Sequence, residues 1–196
     1  MRIFIAVLVL IFSLQSWTKA DDISDFQIEG MSVGDSALDF TNLDFIETEL
    51  KANKYMYDYL EKNKFGEVYL YEGMEKYDFT SVFVKLNDKK FIIHRVRGSI
   101  SFINDFDNCI KTRGEIVEEL EDLFKEAKII KAIIKHPLDK TGKSIGDFVT
   151  FEFDSGNTIE VYCNDYEETL RKKNNWSEGL NVVIASEETN KWLGNY

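Results

Sequence analysis

Over residues 107–127 the chain reads DNCIKTRGEIVEELEDLFKEA, and Ile116, Val117, Leu120, Leu123, Phe124 and Ala127 recur every three or four positions. That spacing predicts a helix with one apolar stripe, and Glu118, Glu119, Glu121 and Asp122 fall outside it. Cys109 stands at the start of the stripe. Elsewhere the period is two. In NTIEVYCND, Ile159, Val161 and Cys163 share one parity, which predicts a strand facing the same core. Residues 67–72, 79–86 and 91–103 alternate in the same way, the last two joined by the turn Asn87-Asp88-Lys89-Lys90. Residues 147–154 and 157–164 read as a hairpin across Ser155-Gly156. A last strand at 179–186 precedes a short helix holding Trp192.

Parity then sorts the side chains. Ile92, His94, Val96, Ile100 and Phe102 are expected beneath the helices, with Val149, Phe151 and Phe153; Phe91, Ile93, Arg95, Arg97, Ser99 and Ser101 are expected on the other face. Toward the N-terminus, Phe26 and Ile28 suggest a short strand ended by Gly30. Ser32-Val33-Gly34-Asp35 fits a capping box and Thr41-Asn42-Leu43-Asp44 repeats the signal, so two short helices with a break near Phe40 are expected. Residues 55–65 are aromatic and charged without a clean period, as in a loop or a frayed helix. KIIKAIIK, at 128–135, continues the helical stripe, but four isoleucines in eight residues favour a strand. The helix is therefore expected to stop near Ala127, and residues 135–146 to form a polar connection.

These elements predict an α+β fold, an antiparallel sheet or sheets with helices on one face. A helical segment followed by three strands occurs twice, over 32–103 and 107–187, the order expected of a tandem helix-βββ duplication. The domain reading is a signal peptide at 1–20 and one compact unit at 21–196, with halves 21–103 and 104–196.

Residues 1–20 carry Arg2, an apolar run to Leu14, and small residues at Thr18 and Ala20, the plan of a secretory signal peptide; an uncleaved anchor is the rival reading. No cysteine follows the expected cut, so no lipid anchor is expected after cleavage. Export, to the periplasm or beyond, changes the reading of the two cysteines. In an oxidising compartment Cys109 and Cys163 are expected to pair, rather than remain as free thiols. Losing Arg2 and Lys19 takes the net charge from −11 to −13, which disfavours nucleic acid as a partner. A single proline, with 15 Phe and 9 Tyr, favours a filled core over linkers or disorder.

Candidate chemistry is sparse. Gly142-Lys143-Ser144 lacks the earlier glycine of a phosphate loop, because Pro137 stands there, and a strand follows it rather than a helix. Asp105-Phe106-Asp107 begins like a calcium loop but continues with Cys109 and Lys111 at ligand positions. His94 and His136 have no cysteine or carboxylate at zinc-site spacing, so no metal or cofactor is expected. No serine has the setting of a hydrolase nucleophile, and no catalytic residue is assigned. Two surfaces remain as candidates. One is the outward face with Arg95 and Arg97 near Tyr69 or Tyr71, a composition common in binding hot spots, although the arginines would serve equally as partners for Glu67 or Glu152. The other is a basic loop with Lys135, His136, Lys140 and Lys143, which would suit an anionic ligand but also reads as a solvated charge run.

The stretches DDISDFQIEGMSVGDSALDF, KHPLDKTGKS and ASEETNKWL resemble a group of uncharacterised small exported proteins of marine bacteria, along the whole mature chain and with no catalytic residue carried over. IEGMSVGD followed by helix and strands is similar to the helix-helix-β units of β-lactamase-inhibitor-like and small outer-membrane-assembly lipoprotein domains, although the lipidated cysteine of the latter is missing. The resemblance implies binding or assembly on a concave sheet. The function expected is thus a non-enzymatic binding protein of the cell envelope, its partner another envelope or extracellular protein or an anionic ligand. The alternative is a hydrolase acting on glycan or peptide through scattered acidic residues.

Overall fold

The computed structural model describes residues 23, 26–57, 60 and 64–194; the segment expected to be a signal peptide lies outside them, as does part of the aperiodic stretch at 55–65. Among the described residues seven strands form one antiparallel sheet: β1 (Phe65–Leu70), β2 (Phe79–Lys85), β3 (Ile93–Ser101), β4 (Lys128–Lys135), β5 (Ile145–Glu152), β6 (Thr158–Asp165) and β7 (Gly179–Ala185). Their spatial order is β1-β2-β3-β7-β6-β5-β4. Two meanders, β1 to β3 and β4 to β7, therefore meet where β3 pairs with β7. The α+β class expected from the pattern is the one observed, and the second half has four strands because KIIKAIIK forms β4.

Alternation builds the core. One register row crosses the sheet through Val68, Val82, Val96, Ile184, Ile159 and Phe151, every one of them fully buried. The helix α2 (Phe106–Leu123) lies over β6 and β7 on this face and buries Cys109, Ile116, Val117 and Leu120. Each such apolar side chain contributes about 1.5–3 kcal/mol by leaving water. α2 ends at Leu123, four residues before Ala127, yet Phe124 remains buried and its ring meets Phe153 at 5.2 Å. Cys109 at the start of α2 is joined to Cys163 in β6, with Cα atoms 6.1 Å apart, inside the range a disulfide needs. Arg113, one turn along α2, pairs with Asp147 on β5.

At the N-terminus the pattern is only partly followed. Ile28 and Met31 make an isolated bridge across a tight turn with Glu29 and Gly30 at positive φ, so no strand forms there. Ser32 N–H donates to the Asp35 carboxylate at 2.8 Å, but the box closes a turn: the short 3-10 helix Ala37–Asp39 is capped by Ser36. Asn42 caps α1 (Leu43–Ala52) by accepting from Phe45 N–H at 2.9 Å.

In β3 the expected parity fails at one end. A bulge opposite Phe83 sets Phe83 against Arg95 but Val84 against Ile93, which places an extra residue in β3. Ile93 consequently turns into the core and is fully buried, while His94 faces the other side, its ring 5.2 Å from Phe65. Phe91, expected to point outward, sits in a positive-φ turn and packs into the core.

Candidate functional site

The face opposite α2 carries the alternate positions of every strand. Its rows follow from the register: Tyr69, Ser81, Arg97, Val183, Glu160 and Thr150 form one, and Glu67, Phe83, Arg95, Ala185, Thr158 and Glu152 the next. Arg97 is the centre of a hydrogen-bonded group. Its Nη2 donates to Glu67 Oε1 at 3.1 Å and to the Tyr69 hydroxyl at 3.2 Å, and its Nε donates to Ser81 Oγ at 3.1 Å. Ser81 Oγ in turn donates to Glu67 Oε1 at 2.7 Å. Only the planar fork of arginine reaches all three acceptors at once. Burial alone would lower the pKa of Arg97, but the Glu67 carboxylate more than offsets it, so the guanidinium stays charged. Burial, and then Glu67, push the Tyr69 hydroxyl up, which keeps it neutral and able to donate. Glu67 is 1 % exposed, and its Oε2 has no partner among the described residues.

Arg95 sits differently. Its guanidinium lies over the Phe83 ring at 5.0 Å and lines a cleft of about 290 Å³ with Glu152, Thr158, Glu160, Asn190 and Leu193. Two helices flank β7, α3 (Glu168–Asn174) before it and α4 (Glu187–Leu193) after it, and α4, capped by Ser186, forms one wall. Trp192 anchors it with ring contacts to Phe65 at 5.1 Å and Phe83 at 6.1 Å. Asn190 Nδ2 fixes the hairpin side by donating to Gly156 O and Thr158 Oγ1, both at 3.1 Å. Burial pushes the Glu160 carboxyl up, against the pull of Arg95. The cleft thus offers one guanidinium, two carboxyls and amide and hydroxyl groups, an arrangement suited to a polar ligand group of either sign.

Aromatic rings continue the face toward both sheet edges. Tyr71, 64 % exposed, lies 6.3 Å from Tyr69 and 5.8 Å from Phe79. Across the sheet Phe148 stacks on Tyr162 at 4.6 Å. Of the four residues expected on this face, the structure brings Arg97 and Tyr69 into contact, holds Arg95 in the cleft next to them, and leaves Tyr71 outermost. No sequence pattern marks the cleft, because Glu160 and Asn190 are 30 positions apart and only the register and the docking of α4 bring them together.

The basic loop is more ordered than a polar connection. His136 N–H pairs with Ser144 O at 2.9 Å, and the buried Asp139 carboxylate accepts from Thr141 N–H, Thr141 Oγ1 and Ser144 N–H, each at 2.7 Å. Those donors hold the Asp139 carboxyl far below the usual range. The His136 ring rests 4.5 Å from Trp176, and its pKa is lowered by burial despite the pull of Asp139. Lys135, Lys140 and Lys143 are exposed around this knot. Among the described residues there is no group of three or more His, Cys, Asp or Glu that could hold a metal, and no helix long and apolar enough to cross a membrane.

No protein family matches the chain, and neither the curated proteins nor the solved structures contain a match to it.

Proposed function

We propose that the protein is an exported binding protein that takes a protein partner on the sheet face opposite α2, around Arg95 and Tyr71. One observation carries this reading. That face combines an exposed aromatic ring and a cleft-lining arginine with a rigid charged group beneath them, so contact residues are held before a partner arrives. Export is supported by the Cys109–Cys163 disulfide, a bond that persists in oxidising compartments, together with the charge and apolar pattern of residues 1–20.

Immobilised protein lacking residues 1–20 should retain a partner from the exported fraction of the producing cell. The double substitution R95A/Y71A should abolish retention while the protein stays folded by circular dichroism, since neither side chain is in the core. Unchanged retention by that variant contradicts the assignment. The cleft supports a second reading, hydrolysis of a glycan or peptide, because a carboxyl raised by burial, Glu160, shares it with Glu152. Turnover of such a substrate that is lost in E160Q would favour hydrolysis over binding.

A further inference from the structure

The two edges of the sheet are finished in opposite ways. At β1 every residue is buried, and side chains of α1 and its end occupy the edge: the Glu49 carboxylate accepts from Tyr69 N–H at 3.2 Å, and Asn53 Nδ2 donates to Glu67 O at 3.2 Å. At β4 all eight residues are exposed, with Ile129, Ile130, Ile133 and Ile134 exposed by 39 to 68 %. A bare row of N–H and C=O groups flanked by isoleucines is a template for another strand. Lysines commonly blunt such an edge, but two of the three here are tied back to their own chain, Lys128 to Glu152 at 2.8 Å and Lys131 to Glu121 at 3.4 Å.

We infer that β4 is a dimerisation edge, pairing antiparallel with β4 of a second copy to make one continuous sheet. The sequence KIIKAIIK selects both the occupant and the register. A slip of one residue would exchange the two faces, so only registers that keep the faces in phase are allowed. Two of these overlap nearly the whole strand, one centred on Lys131 and one on Ala132. The first sets Lys131 against itself, and like charges directly opposite are destabilising. The second sets no lysine against another. It places Ile130 opposite the partner's Ile134, Ala132 opposite itself on the two-fold axis, Lys131 opposite the partner's Ile133, and Lys135 opposite the partner's Ile129. Phe148, next to Ala132 on β5, then extends the apolar strip of Ile130, Ala132 and Ile134 on the face opposite α2. This near-palindromic strand complements itself, whereas an acidic peptide would find most of the lysine charge already paired.

The test uses the exported, disulfide-bonded protein. Sedimentation over a concentration series should show a species of twice the chain mass. Ile134 is exposed, so I134K should match the wild-type melting temperature at dilutions where both run as single chains, and should weaken self-association by about tenfold or more. Both native cysteines are engaged, so a single introduced thiol reports the register. On mild oxidation A132C should form an interchain disulfide, while K131C should not, because its thiols sit beyond the roughly 7 Å Cα limit for a bridge in this register. A single-chain mass at every concentration would overturn the inference, as would a dimer that survives I134K, a bridge at K131C in place of A132C, or a dimer bridged by neither.

Discussion

Arg97 and Glu67 show what a buried pair does on this face. With Arg97 removed, the Glu67 carboxylate would stay buried with only Ser81 to satisfy it, so R97A should lower unfolding free energy by about 3 kcal/mol in urea titration. Replacing both residues with leucine should cost clearly less than the sum of the single losses, because no orphan charge is left. Arg97 is therefore a support for the face, whereas Arg95 is the residue proposed to meet a partner on it. His94 gives a pH signature. Burial, aided by Lys85, lowers its folded pKa, against Glu188 at 3.7 Å. The unfolded chain then binds the proton more readily. Stability from His94 is complete above its unfolded value of 6.5 and is lost as pH falls through that value toward the folded pKa. His136 has the same sign. Glu160 and Asp165, raised by burial, run the other way at lower pH. The wild type should therefore lose more stability than H94Q between about pH 7.5 and 5.5 in matched urea titrations; equal losses would remove His94 from the account.

At the scale of elements, α2 and β6 are held by covalent and apolar contacts together. Their disulfide closes a loop with a separation of 54 residues, worth about 4 kcal/mol by loop entropy. The variant C109S/C163S should melt well below the wild type, and reduced wild type should follow the variant. A melt unaffected by reduction would assign the stability to packing alone. Gly179 opens β7 at φ 141°, where a Cβ would strike the Ile100 carbonyl of β3. G179A should therefore loosen the joint between the two meanders, read as faster amide exchange in both β3 and β7. Most elements were legible from spacing: the α2 stripe, the hairpin of β5 and β6, and the strand nature of KIIKAIIK. The misread positions have physical causes. A bulge reverses parity at Ile93 and His94, and a bulge leaves no mark in a pattern of apolar residues. The turn at Ser32 satisfied a helix-start signal with the same hydrogen bond a helix would have used. The knot around Asp139 is built from short-range hydrogen bonds that hydropathy does not register.

Over the whole molecule, one face of the sheet is covered by α2 and the other keeps a band of tyrosines, arginines and carboxyls, with α4 at its border. The candidate site could be anticipated only as a parity class: Arg95, Arg97, Tyr69 and Tyr71 fell on one side, but which were supports and which contacts depended on burial. The proposed function divides the surface: a partner would dock on the face opposite α2, and the acidic outer side of α2 would stay in water. A photo-crosslinking amino acid placed at the exposed position 71, and separately at the exposed Glu119 of α2, tests this in the producing cell. A discrete adduct with a partner protein is expected from position 71 and none from position 119. Adducts from position 119 alone, or from neither position, would contradict it.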